Sequence, residues 1–280
     1  MVADRDTAPN VAMVMPVYNA GRFLRECLDS VFAQTFRDFI LIVCDDGSSD
    51  ESPRILAEYA ARDSRLRILT NHENLGIPLT RNKLLAAVPP ECEYIAIMDS
   101  DDICKPDRLE RQLKFLSDHP ELCGVGSSLE IIDEYSRTTG FRCYPVSPEE
   151  IRLTMPDRNV ISQSSLMLRR AAIESVGGYR TGFDCCEDYD CWLRMLEQYD
   201  FANLPDPVLK YRMSPAQSKQ RKLRLTLRNT LRIQRDYRTR THSWTFRSRL
   251  RAFAGHVLLC LPPPLVLKLF ELMTYRKEQA

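Results

Sequence analysis

Three carboxylates crowd into four residues at Asp99-Ser100-Asp101-Asp102, directly after the apolar run Tyr94-Ile95-Ala96-Ile97-Met98. Like charges this close are costly unless a cation or strong donors offset them. Carboxylate oxygens are hard ligands suited to Mg²⁺ or Mn²⁺, and Mg²⁺ is commonly shared with substrate phosphates. A second acidic string, Asp45-Asp46-Gly47-Ser48-Ser49-Asp50, follows the apolar run Phe39 to Cys44. An Asp here can accept from the edge of a base or a ribose hydroxyl, and Gly47 lets the chain turn tightly beside a ligand. Pro16-Val17-Tyr18-Asn19 closes an earlier run and offers an aromatic ring on which a nucleobase could stack. Arg81, in Thr80-Arg81-Asn82, suits a phosphate or a base carbonyl, and Glu187-Asp188 opens a helical pattern. Each string also fits a plainer role taken singly: an acidic turn, a helix cap, a half-buried aromatic, an exposed arginine.

The elements that must hold these groups are legible as a rhythm. Apolar runs at Val11 to Met15, Phe39 to Cys44, Leu66 to Leu69 and Tyr94 to Met98 read as strands. Between them lie helical patterns carrying Leu24, Cys27, Leu28, Val31 and Phe32, then Ile55, Leu56 and Tyr59, then Ile77 to Val88. Asp50 is placed to cap the second helix, which holds Pro53 in its first turn. Continuous apolar strands alternating with amphipathic helices predict an α/β fold, a Rossmann-like, mostly parallel sheet covered on both faces. In such sheets ligands bind beyond the carboxyl ends of the strands, where both acidic strings fall. After the tetrad the rhythm changes. Pro106 opens a helix with Leu109, Leu113 and Leu116 on one stripe. Strand-like pieces follow near Val125 to Ile132 and Ser164 to Leu168, and a short helix from Arg170 stops at Gly177-Gly178. Glu187 to Tyr199 reads as a helix and Val208 to Met213 as a closing strand, while Asp133 to Val160 holds no readable pattern.

The chain has 280 residues, 44% apolar and 28% charged, and a net charge of +1, so it can bury a large core and has no global pull toward nucleic acid. Ten cysteines occur without a CxxC pair, and Cys185-Cys186-Cys191 lacks zinc spacing; small buried thiols in a reducing compartment are expected. The polar stretch Met1 to Asn10 does not suggest a secretory signal. From Lys219 the composition turns basic. Arg221, Arg224, Arg228, Arg232, Arg235 and Arg238 recur at helical steps beside Leu223, Leu227 and Leu231, and Ala252 to Met273 is apolar but broken by His256, Pro262-Pro263-Pro264 and Lys268. This helical tail either lies on an anionic membrane surface or packs on the catalytic domain; proline and charge argue against a clean span.

The order and spacing of these strings resemble the family-2 inverting glycosyltransferases of GT-A fold. The resemblance runs over about residues 10 to 215. It is carried by Met15-Pro16-Val17-Tyr18-Asn19, Cys44 to Asp50, Asn74-Leu75-Gly76, Arg81-Asn82, Met98 to Asp102, Pro106 to Glu110, Gly177-Gly178-Tyr179, Cys186 to Arg194 and Tyr211-Arg212. It implies a nucleotide-sugar-binding half over 10–103, an acceptor-binding and catalytic-base half over 104–215, and a basic and apolar tail over 216–280. It further implies that Pro16 and Tyr18 line the base pocket and that Asp45 accepts from the base with Asp46 nearby. Arg81 would help hold the nucleotide, and Asp99 and Asp101 would form the DxD pair for Mg²⁺ or Mn²⁺. Asp188 would be the general base. The expected reaction moves a sugar from a nucleoside-diphosphate sugar to a hydroxyl of a carbohydrate or lipid-linked acceptor, with inversion, in cell-surface polysaccharide or glycolipid assembly. The expected location is the cytoplasm, at the inner face of the plasma membrane where the tail touches it, with no nucleic acid partner. Polymerising members carry Gln-x-x-Arg-Trp; Gln234-Arg235-Asp236-Tyr237-Arg238 lacks the Trp, which favours single addition. The alternatives are a sugar nucleotidyltransferase and a non-catalytic nucleotide-sugar-binding module. The first wants a Gly-rich loop where Val17 to Arg22 stands; the second should have lost Asp101 or Asp188.

Overall fold

The computed structural model describes residues 10–213 and 222–262. Arg221, Pro263, Pro264, Lys268 and the apolar residues to Met273 lie outside the described residues, as do Met1 to Pro9.

The first half forms as the apolar runs require. Strands β1 (Val11–Val17), β2 (Phe39–Asp45) and β4 (Tyr94–Ile97) are buried along their whole length, while β3 (Leu66–Thr70) forms the more exposed edge. Successive side chains alternate between faces. Val11, Met13, Met15 and Val17 pack beneath α1 (Gly21–Phe32) and α2 (Ser52–Ala60), whereas Ala12 and Val14 join the opposite core beside α3 (Ile77–Ala86). The seven-stranded sheet runs β10-β6-β9-β4-β1-β2-β3, with β6 (Leu122–Ser127), β9 (Met167–Arg169) and β10 (Asp200–Leu204) completing it. Strands β1 to β4 are parallel; β9 alone runs against β4 and β6.

This order creates the crevice. The chain moves outward from β1 to β2 and β3, then α3 carries it back across β1 to β4 on the other side. β1 is therefore the topological switch, the place where ligands bind in open α/β sheets. Val17, Asp45 and Thr70 pair in register, so β1, β2 and β3 end at one level and the first acidic string begins at that edge.

A second, four-stranded sheet runs β5-β11-β7-β8, made of β5 (Ile103–Cys104), β7 (Leu129–Ile132), β8 (Thr138–Arg142) and β11 (Leu209–Arg212). The single strand expected near Val125 to Ile132 is thus two strands in two sheets, β6 and β7, divided at Ser128. The closing strand belongs to the second sheet. The tetrad occupies the link from β4 to β5, so it joins the two sheets. The helix after the tetrad, α4 (Arg108–Asp118), begins two residues beyond Pro106. Helices α5 (Pro148–Thr154), α6 (Arg170–Ser175) and α7 (Glu187–Leu196) cover the α3 face. The stretch without a readable pattern folds as β8 and α5. The tail begins with α8 (Leu223–Arg240), which packs Ile233 and Tyr237 into that same core, and continues with α9 (Phe246–Cys260).

Candidate active site

Three consecutive residues of α3 gather the pieces. Thr80 faces the first acidic string: Asn71 Nδ2 donates to both Thr80 Oγ1 (3.1 Å) and Asp46 Oδ1 (2.7 Å). Arg81 faces the tetrad, its Nη2 donating to Asp99 Oδ1 at 2.6 Å. Asn82 faces the loop before α7, donating to Tyr179 O (2.7 Å) and accepting from Tyr179 N–H (2.9 Å). A side chain at Gly178, with φ of 69°, would meet Asn82 Oδ1 at 2.7 Å, so glycine permits this close approach.

Arg81 is buried, and the Gln163 carboxamide oxygen accepts from its Nε at 2.7 Å. Burial alone would lower its pKa; the carboxylates of Asp99 and Glu187 outweigh burial and raise it. The guanidinium is therefore a fixed positive charge in the crevice. Burial raises the Tyr179 phenol well above its ordinary range, with Arg81 pulling the other way.

The exits of β1 and β2 are built tightly against each other. Asn19, in the left-handed region at φ 49°, accepts from Ser49 N–H with its Oδ1 at 2.9 Å, and its own N–H donates to Ser48 Oγ at 2.9 Å. These two bonds lock the β1 exit to the β2 exit. Tyr18 between them is 49% exposed, an aromatic face kept in solvent at the switch. Pro16 is buried within β1 opposite Cys44, and it sets the backbone that leads to Tyr18. Asp45 ends β2 and accepts from Ser48 N–H at 3.2 Å. Asp46 is spent on the fold: Asn71 Nδ2 and Leu75 N–H (2.9 Å) donate to Oδ1, and Gly76 N–H (3.1 Å) donates to Oδ2. Asp46→Ala should leave these donors without their acceptor and cost about 2–4 kcal/mol of stability, measurable by urea unfolding as a shift in midpoint. Asp50 accepts from Ser52 N–H at 2.9 Å and from Gly21 N–H at 2.8 Å, but the N-cap of α2 is Glu51, so the expected cap stands one residue before the helix boundary and ties it to the start of α1 instead.

The tetrad is pinned from behind. Arg212, buried at the end of β11, donates from Nε to Asp101 O (2.7 Å) and from its backbone N–H to Asp102 Oδ1 (2.8 Å). Its Nη2 reaches Glu26 Oε2 at 2.6 Å. Arg108 donates to Ile97 O at 2.8 Å, fixing the end of β4. The buried Asp102 carboxyl is pushed up by burial and by the charges of Asp101 and Asp99, and its Oδ2 has no hydrogen-bond partner. Neighbouring carboxylates such as Asp99 and Asp101 are hard oxygen donors of the kind a divalent cation takes. No group of three potential metal ligands stands together among the described residues.

Asp188 is the second residue of α7, and only 4% exposed. Its Oδ1 accepts from Tyr189 N–H (2.8 Å) and its Oδ2 from Asn159 Nδ2 (3.2 Å). Asp190 points elsewhere, paired with Arg180 and Arg194. The loop carrying Asn159 is held from the tail. Gln234 Nε2 donates to Asp157 O (2.7 Å), Arg238 donates to Pro156 O (2.8 Å), and both Arg238 and Arg251 pair with the Asp157 carboxylate. In α8, then, the packed alternative for the tail holds. Arg238 is buried and Arg232 lies over the Phe183 ring, 4.7 Å from its centroid, while Arg224, Arg228 and Arg235 remain exposed.

Gln163, Asn159 and Asn71 hold the site together without being marked by any local string, whereas Arg212 stands in the Tyr211-Arg212 string.

A parallel sheet with acidic strand tips at its switch point, joined to a helix opening on Glu-Asp, is the architecture of GT-A glycosyltransferases. The mannosyltransferase PcManGT of Pyrobaculum calidifontis, in complex with GDP-Man and Mn²⁺, superposes with a TM-score of 0.63 at 17% identity over 93% of this chain and 72% of that one. TarS 1-349 of S. aureus in complex with UDP gives 0.58 at 18% identity over 89% and 80%. The chain belongs to the family described as Glycosyl transferase family 2, whose model matches residues 12–177. It is similar to the putative glycosyltransferase EpsE of Bacillus subtilis, 31% identical over 81% of each chain. It is also similar to the O-antigen biosynthesis glycosyltransferase WbnJ of Escherichia coli, 32% identical over 72% of this chain and 79% of that one. The amylovoran biosynthesis glycosyltransferase AmsE of Erwinia amylovora is 30% identical over 72% and 75%. Among the described residues no helix is long and apolar enough to cross a membrane.

Proposed function

We infer that this glycosyltransferase moves a sugar from a nucleoside-diphosphate sugar to a hydroxyl of a carbohydrate or lipid-linked acceptor, with inversion, in cell-surface polysaccharide or glycolipid assembly. The observation that carries this reading is the span of α3, whose Thr80, Arg81 and Asn82 tie the base-side loop, the tetrad and the approach to Asp188 around one crevice. The names of WbnJ and AmsE support the polysaccharide setting, and PcManGT and TarS support a nucleotide-sugar donor.

In this reading the Tyr18 ring stacks on the base and Asp45 accepts from its edge. Arg81, held against Asp99, presents positive charge to the nucleotide. Asp99 and Asp101 would hold Mg²⁺ or Mn²⁺; when bound, the ion supplies Lewis-acid stabilisation of the leaving diphosphate. Asp188, oriented through both oxygens by Tyr189 N–H and Asn159, takes the proton of the attacking hydroxyl. Attack and departure on opposite faces of the anomeric carbon in one displacement invert it. Single addition fits the use of Gln234 and Arg238 as supports for the 155–159 loop. The setting is the cytoplasm at the inner face of the plasma membrane, with the tail as the peripheral contact.

The test is a panel of nucleotide sugars with oligosaccharide and polyprenyl-linked acceptors, with and without Mn²⁺. Release of nucleoside diphosphate matched by acceptor glycosylation is expected. Pyrophosphate release would indicate a nucleotidyltransferase instead, and no donor binding with any acceptor would leave a non-catalytic module.

A further inference from the structure

Helix α9 is amphipathic in an unusual sense: its apolar stripe points outward. At 100° per residue, Ser248, Gly255 and Leu259 share one face. Ser248 and Gly255 are buried, and a side chain at Gly255 would meet Leu231 of α8 at 2.5 Å. That face is the one seated on α8. The opposite face carries Phe246, Leu250, Phe253 and Val257, which are 84%, 59%, 68% and 45% exposed. Four large apolar side chains in one row are not the scattered singles of an ordinary surface.

The charge around this ridge is of one sign. Arg249 and His256 flank it on one side and Arg247 on the other, all exposed, while Arg251 next to Arg247 is taken up by Asp157. No Asp or Glu occurs between Asp236 and Glu271. A capping box at Thr245 and Ser248 fixes the start of the helix, so the ridge is presented on an already formed element. Beside it, between α8 and α9, a cavity of about 280 Å³ is lined by Arg228, Arg232, Arg235, Arg238, His256 and Trp244. Among the described residues, Asp236 and Asp157 are the acids that pair with these arginines.

We propose that α9 docks on a bilayer bearing anionic lipid, with Phe246, Leu250, Phe253 and Val257 sunk at the acyl boundary and the flanking arginines on headgroup phosphates. Apolar burial and attraction to anionic lipid together set the strength of such contacts. A protein partner with an acidic rim is the competing occupant, but nothing here shapes a groove for one; a flat row on a convex helix suits a plane. The proposal deepens the peripheral contact named above, and it is tested without sugar transfer, so its failure and that of the proposed reaction are separable.

The full chain should sediment with vesicles of phosphatidylcholine containing phosphatidylglycerol and bind phosphatidylcholine alone weakly. The double variant L250E/F253E should reduce that partitioning by about tenfold or more, with melting temperature and nucleotide binding unchanged because both side chains are exposed. R247E/R249E should remove the preference for anionic over neutral vesicles. The proposal is overturned if the unaltered chain ignores anionic vesicles, or if L250E/F253E binds them as well as the parent does. It also falls if the double variant lowers the melting temperature, which would show the ridge covered by the chain itself. A parent dimer that the double variant turns into a monomer would make the ridge an interface between copies, and would equally overturn it.

Discussion

Asp188→Asn is expected to slow sugar transfer by about 10²–10⁴-fold while donor affinity stays within about twofold. The two oxygens of Asp188 are held by one backbone donor and one side-chain donor, Tyr189 N–H and Asn159 Nδ2. An asparagine can keep the first bond through its Oδ1, so the helix start survives. It cannot accept a proton at neutral pH, so the attacking hydroxyl keeps its own. Single-turnover kinetics with saturating donor separates the two effects: the chemical step should collapse and the binding isotherm should not move. A variant that transfers at the parent rate would remove Asp188 from the base role. Loss of donor binding together with rate would instead mean that Asp188 touches the donor.

Asp101→Ala is expected to raise the donor Kd measured in Mn²⁺ by about 10- to 100-fold and to flatten the dependence of binding on metal concentration. The residue sits where the main sheet passes to the second one. Its carbonyl is fixed by Arg212, so deleting the side chain leaves the turn in place. Titration calorimetry of donor with and without Mn²⁺ reads the effect directly. An unchanged metal titration would move the ligand role to Asp99 or Asp102. The charge relief at Asp102 should be visible too, because the carboxyl now raised by its neighbours loses one of them.

What the sequence disclosed and what it hid divide along a physical line. β1, β2 and β4 are buried on both faces, so their runs are uniformly apolar and their register follows. The tetrad and the Asp45 string were visible because they combine rare local density of charge with a strand end. The second sheet was not visible. β5 is two residues long, and β6 and β7 read as one run although Ser128 turns the chain from one sheet to the other. β10, fully interior after Asp200, follows α7 without a turn signature and went unread. The contacts that organise the site were hidden for another reason. Arg212 reaches Glu26 across 186 positions, Asn82 reaches Tyr179 across 97, and Arg81 meets Gln163 only in three dimensions. A string shows what a residue is, and only the fold shows what it leans on. Pro16 and Asp46 illustrate the converse. Both stand within matching strings, yet one is enclosed in the sheet and the other has its oxygens taken up by Asn71, Leu75 and Gly76.

The grip of Gln234, Arg238 and Arg251 on Asp157 bears on how such enzymes can be recombined. An engineer wishing to redirect this one to a different compartment or acceptor would be tempted to splice on a foreign tail after Arg212. That graft would strip the brace from the segment bearing Asn159, and Asp188 would lose its Asn159 donor although no residue near it had been altered. The exchangeable unit is therefore discontinuous: residues 155–160 have to travel with the helices that clasp them.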